Sequence, residues 1–184
     1  MYYNKYIKYK IKYMKLINNI QIGGDDIIYF YVKPFFIMSE EKLQTGYLFN
    51  CCAIFFTIDR VNYGCHFIAT NYAEKYFMEK HNDGKISTPI VIFMFVSAMP
   101  PSVSFKHYCS ENNIIIYKNY VQVKPNDLIT FDNSEYEISK GEYPYIRINE
   151  TEYEKCNNYV GEDGIIYTKN DAGEFIVKRL KKKS

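Results

Sequence analysis

Residues 44–70 read QTGYLFNCCAIFFTIDRVNYGCHFIAT. The run 48–58 is apolar, β-branched and aromatic; 63–69 repeats that character; between them lies the polar turn Asp59-Arg60-Val61-Asn62. Two apolar runs of this length flanking a turn read as buried strands joined in a hairpin. Side chains alternate across a strand, so a loop of two or four residues opposes positions whose numbers sum to an odd value. Cys51 and His66 satisfy that parity and share one face, whereas Cys52 and Cys65 take the other. Register decides their separation. A two-residue loop at Ile58-Asp59 sets Cys51 directly against His66, and only that register, or a bulge that restores it, permits catalysis. A four-residue loop at 59–62 sets His66 against Phe55 and carries Cys51 about 13 Å along the strand.

Outward from this hairpin the same signals recur. On the N-terminal side, 27–32 and 35–38 read as strands. On the C-terminal side, 71–80 places Tyr72, Tyr76, Phe77 and Lys80 at helical spacing and ends at Asn82-Asp83-Gly84. A buried strand at 89–98, a short helix at 103–110 and a strand at 114–123 follow. Shorter strands are expected at 128–131, 136–138, 145–148, 164–168 and 174–180, the last two forming a hairpin around Asn170-Asp171-Ala172-Gly173. Strands outnumber helices, and the expected class is α+β.

Composition limits the rest. The 184 residues are 47% hydrophobic and 24% charged, with 9 Gly and 6 Pro, the usage of a folded chain with one principal core. No apolar stretch is long enough to span a bilayer as a helix, and the first residues lack the apolar centre of a secretory signal. The five cysteines, Cys51, Cys52, Cys65, Cys109 and Cys156, are odd in number and contain no CxxC, so free thiols are expected and structural zinc is disfavoured. The net charge of +2 conceals a segregation. Residues 1–24 carry five Lys and no acid, and residues 178–184 carry five basic residues and no acid, leaving 13 basic against 21 acidic residues between 25 and 177. A body at net −8 is unsuited to tracking phosphates. The expected organisation is a basic leader (1–24), one globular domain (25–177) and a basic tail (178–184).

The leader, with Lys5, Lys8, Lys10, Lys12 and Lys15 among Tyr and Ile and closing in Ile22-Gly23-Gly24, resembles a segment found on many proteins of the giant viruses of amoebae. That resemblance implies a viral protein of the host cytoplasm or the virion, without a signal peptide.

A thiolate exists at neutral pH only beside an imidazole or another cation, so a Cys at the entry of one strand and a His on the next form a candidate nucleophile and base. Thr45 lies six residues before Cys51, and His66 follows Cys51 by fifteen. Thr45, Cys51 and His66, with Leu48, resemble the triad and Leu-Ser-Gly-Cys motif of the cysteine-dependent glutamine deamidases that include cytotoxic necrotizing factor, Burkholderia lethal factor and CheD-type enzymes. Phe49-Asn50 stands where that motif has Ser-Gly, and Asn tolerates the left-handed backbone better than most residues.

The resemblance implies a compact β-sandwich layered with helices and the hydrolysis of a protein glutamine side chain to glutamate, with no cofactor and no metal. Cys51 would be the nucleophile, His66 the base, and Thr45 the group orienting His66; backbone N–H groups at Asn50 and Cys51 would hold the oxyanion. The partner implied is a host or viral protein carrying a reactive glutamine. The alternative is a non-catalytic virion or host-interaction protein. His107 suits a papain-like pairing less well, because Cys51 leads into a strand and not a helix, and His81 sits in a polar turn.

Overall fold

The computed structural model describes residues 20–21, 27–30, 32–46, 48–140, 158–160, 166–169, 172, 175–177 and 181–182. Cys156 and the strand expected at 145–148 lie outside the described residues.

Two large sheets, a two-stranded pair and two helices make up the described residues, an α+β arrangement. The first sheet is centred on the hairpin read above, Cys52–Ile58 (β5) with Val61–Phe67 (β6). Lys33–Ser39 (β3) flanks β6, and Ile90–Val96 (β7) flanks β5, both antiparallel. Ile114–Ile116 (β8) and Val121–Gln122 (β9) both lie parallel to β7. The second sheet runs in the order β11-β10-β4-β2-β12-β13-β14. Its strands are Glu135–Lys140 (β11), Asp127–Asp132 (β10), Lys42–Gly46 (β4), Ile27–Tyr29 (β2), Asn158–Val160 (β12), Ile166–Lys169 (β13) and Phe175–Val177 (β14). Ile20–Gln21 (β1) pairs antiparallel with Lys181–Lys182 (β15), so strands occur within the two basic ends.

The sheets face one another across a core of Ile28, Leu43, Ile129, Phe131 and Val160 from one side and Ile37, Ala53, Phe55, Phe93 and Phe95 from the other. Aromatic rings fill the centre: Phe55 stacks on Phe131 at 5.1 Å between centroids and meets Phe95 edge-on at 5.7 Å. Gly64, opposite Phe55 on β6, admits that ring; a Cβ there would stand 2.7 Å from Phe55 Cε1. On its outer face the first sheet packs Cys52, Ile54, Phe56, Cys65, Ile92, Met94 and Val96 against Phe77 of Thr70–Asn82 (α1) and Phe105 of Val103–Glu111 (α2). Glu74 of α1 accepts from both the backbone N–H (2.6 Å) and the hydroxyl (2.8 Å) of Ser102, the N-cap of α2. A carboxylate at that end is favoured by the unsatisfied N–H groups of the first turn.

At one end of the sandwich the buried Asn62 side chain ties the sheets together. Its amide donates to the Glu41 carbonyl and to Asp132 Oδ1, both at 3.0 Å, and its oxygen accepts from Thr57 Oγ1 (3.0 Å) and the Asn133 N–H (2.9 Å).

Several expectations are corrected. The strand expected over 114–123 is two strands, because Lys118 and Asn119 both adopt positive φ (51° and 65°) and break the extended chain between β8 and β9. Leu48 to Cys51 lie outside β5, in the connection that carries the chain from one sheet to the other. β4 and β12 had no strand signal. Lys-Leu-Gln-Thr-Gly is poor in β-formers, and β4 is a strand because β2 and β10 hydrogen-bond it from both sides.

Candidate functional site

The site is built where the chain crosses between the sheets. Thr45 lies near the end of β4; the chain then passes through Leu48, Phe49, Asn50 and Cys51 before β5 begins. Leu48 and Cys51 both turn into the inter-sheet core, while Phe49 and Asn50 are exposed. Asn50 is held at φ 56°, in the left-handed region, which makes the sharp entry that brings Cys51 inward. The six-residue spacing from Thr45 to Cys51 is therefore the length of one crossover.

The hairpin closes on Asp59 and Arg60, at φ 50° and 66°, the paired positive values of a type I′ turn. Val61 and Asn62 belong to β6, so neither loop expected from the sequence forms. The zipper of Ile58 to Val61 and Thr57 to Asn62 moves the register by two residues: Ala53 opposes His66, and Cys52 opposes Phe67. Parity survives, because the loop still has an even length. Cys51 lies in the inter-sheet core, whereas Cys52 and Cys65 lie in the layer under the helices. Cys51, one residue ahead of β5, is therefore not set directly against His66; the two share the face of the inter-sheet core. Ala53, the residue directly across from His66, is small and fully buried. On its other side His66 is paired in register with Lys33 of β3, a lysine only 3% exposed.

The third member comes from the opposite sheet. Thr45 Oγ1 lies 2.9 Å from His66 Nδ1 and donates to the Phe30 carbonyl at 2.8 Å. A hydroxyl has one proton. With that proton on the Phe30 carbonyl, Thr45 presents only lone pairs to the ring, so Nδ1 carries the imidazole proton and Nε2 is the basic nitrogen. This contact joins β4 and β6 across the sandwich, and both residues are fully buried.

Burial sets the protonation. It pushes the His66 imidazole down to about 3 and the Cys51 thiol up. Both shifts favour the neutral thiol and the neutral imidazole over their charged forms. The thiol donates to the Phe49 carbonyl at 3.1 Å, so its sulfur is turned toward that carbonyl. Burial also pushes Cys52, Cys65 and Cys109 up, the last to about 12. All four described cysteines are free thiols. Exposed apolar side chains surround this end of the sheet: Phe49, Ile68 and Met99 are each more than half exposed.

The other histidines lie elsewhere. His107 of α2 makes an exposed ion-pair contact with Glu111 at 3.2 Å, on the far side of the first sheet from Cys51, so the papain-like pairing is not assembled. His81 Nδ1 lies 2.6 Å from Tyr108 Oη, which donates to Asn82. No group of three or more His, Cys, Asp or Glu among the described residues is placed to hold a metal ion, and no described helix is long and apolar enough to cross a membrane.

The sequence named Thr45, Cys51 and His66 but not the Phe30 carbonyl or Lys33. A backbone carbonyl carries no residue signature, and Lys33 looks like an ordinary strand-edge lysine. Comparison with protein-family models, curated proteins and solved structures finds no match to this chain.

Proposed function

We propose that this protein is a cysteine-dependent protein glutamine deamidase, probing a host or viral protein through a CheD/necrotizing-factor-like β-sandwich. The observation that carries the reading is the Phe30–Thr45–His66 hydrogen-bond chain, which fixes the imidazole tautomer and leaves Nε2 as the base on the face shared with Cys51. A hydroxyl oriented in this way does for His66 what an orienting third group does in other triads.

The chemistry needs no cofactor. As the Cys51 sulfur attacks the glutamine carboxamide carbon, its proton passes to His66 Nε2, and the carbonyl π pair moves to oxygen as the C–S bond forms. Backbone N–H groups at Asn50 and Cys51 hold that oxygen. Collapse breaks the C–N bond, and the nitrogen leaves as ammonia with the proton from His66. Water then adds to the thioester, giving its proton to His66; the C–S bond breaks, and the thiol is restored. Starting from a neutral pair suits this sequence, since His66 takes the proton during attack and not before it.

The test is conversion of glutamine to glutamate in substrate peptides, followed by the amide-to-acid mass change. Cys51→Ser and His66→Ala should each abolish it, while Cys52→Ser, altered in the opposite layer, should lose stability but keep activity. Equal turnover by Cys51→Ser and wild type would remove the reading. The exposed Phe49, Ile68 and Met99 favour the second reading, a non-catalytic virion or host-interaction protein; it predicts binding that survives Cys51→Ser.

A further inference from the structure

Cys52 pairs with Val96 at the end of β7. Continued one residue past the paired ends of both strands, that register brings Ser97 level with Cys51. The odd residues of β7, Phe93 and Phe95, face the same inter-sheet core as Cys51, and strand alternation turns Ser97 toward that face. Its backbone is held: Gln122 Nε2 donates to the Ser97 carbonyl at 2.8 Å, and the Val123 N–H donates to the adjoining Val96 carbonyl at 2.9 Å. The Ser97 hydroxyl is nevertheless buried with no hydrogen-bond partner. Buried hydroxyls are normally satisfied, and one left over next to a candidate nucleophile has a ready explanation in a partner that arrives with the substrate.

We propose that Ser97 is a further catalytic residue that binds the glutamine carboxamide oxygen and the oxyanion formed from it. The proposal rests on the deamidase reading of Cys51. The placement suits the role, because β5, which Cys51 leads into, has β6 with His66 on one side and β7, which runs out into Ser97, on the other. Base and oxyanion donor therefore approach the reacting carbon from opposite sides. The Ser97 hydroxyl keeps its proton throughout; its hydrogen bond strengthens as the carbonyl oxygen gains charge.

The test compares two reagents on full-length wild type and Ser97→Ala, with the site of modification read by peptide mass spectrometry. Chloroacetamide presents a primary carboxamide next to the carbon attacked: sulfur forms the new C–S bond, chloride leaves with its bonding pair, and the thiol proton passes through His66 to solvent. Methyl methanethiosulfonate modifies the same thiol without any carboxamide. Ser97→Ala should slow chloroacetamide at Cys51 by about tenfold, the order expected for one lost hydrogen bond to the carboxamide oxygen, and leave the methanethiosulfonate rate unchanged. Its melting temperature should hold or rise, since the substitution removes a buried hydroxyl with no partner. Equal effects on both reagents, no effect on either, or a lowered melting temperature would overturn the role of Ser97 while leaving Cys51 as nucleophile. If wild-type Cys51 reacts with both reagents no faster than Cys52 and Cys65, the deamidase reading falls, and Ser97 with it.

Discussion

Acid should destabilise this protein through His66, by an amount the burial of the ring sets. The imidazole is fully buried and held down to about 3, against an ordinary value of 6.5. Below pH 6.5 the unfolded chain takes up a proton that the folded chain refuses, so the unfolded state binds more protons and stability falls as the pH falls. The contribution is fully present above 6.5 and is lost progressively between 6.5 and about 3. Each pH unit in that window is worth about 1.4 kcal/mol. By pH 5.5 the loss is about 1.4 kcal/mol, and by pH 4.5 about 2.7 kcal/mol. Carboxylates titrate in the same range, so the measurement is a difference. Urea unfolding of wild type and His66→Gln would be followed at pH 7.5, 6.5, 5.5 and 4.5. Glutamine fills a similar volume, can accept or donate toward Thr45, and does not titrate. His66→Gln should start less stable at pH 7.5 and lose about 2.7 kcal/mol less than wild type on going to pH 4.5. Parallel stability curves for the two proteins would refute the buried neutral imidazole, and with it the base assigned to the site.

Thr45→Val should cost about 1–3 kcal/mol by removing a buried hydroxyl from two hydrogen bonds and lower glutamine turnover by about a hundredfold or more; Thr45→Ser should keep most of both, as measured by urea midpoint and ammonia release. Gly64→Ala should destabilise by about 1–3 kcal/mol, because the new Cβ meets a Phe55 ring already stacked on Phe131; an unchanged thermal midpoint would show that the ring can yield. Asn62→Leu should cost about 2–4 kcal/mol in urea unfolding, since it takes partners from four polar groups joining the two sheets.

The local period of the sequence carried a good deal of this protein. Alternation alone separated Cys51 and His66 from Cys52 and Cys65, because any even-length loop preserves the face on which each residue stands. Residues 71–80 and 103–110 carried enough helical spacing, with Pro100-Pro101 and Ser102 before the second, to announce both helices. The apolar runs at 48–58, 63–69 and 89–98 announced the three central strands. Register was different. It turned on whether Asp59-Arg60 or a neighbouring pair would take two positive φ values, and the choice was made by pairing Thr57 with Asn62, whose side chain is fixed by Asp132 and Asn133 from the other sheet. β4 was hidden for a related reason: Lys-Leu-Gln-Thr-Gly has little strand propensity, and its neighbours on both sides supply the hydrogen bonds that make it one. The direction of the Thr45 hydroxyl was decided later still, by a Phe30 carbonyl brought beside it by the parallel pairing of β2 with β4. Side-chain parity is a property of each strand by itself and can be read along the chain; register, strand pairing and the proton on His66 depend on groups far apart in sequence, and only the closed sandwich brings them within hydrogen-bonding distance.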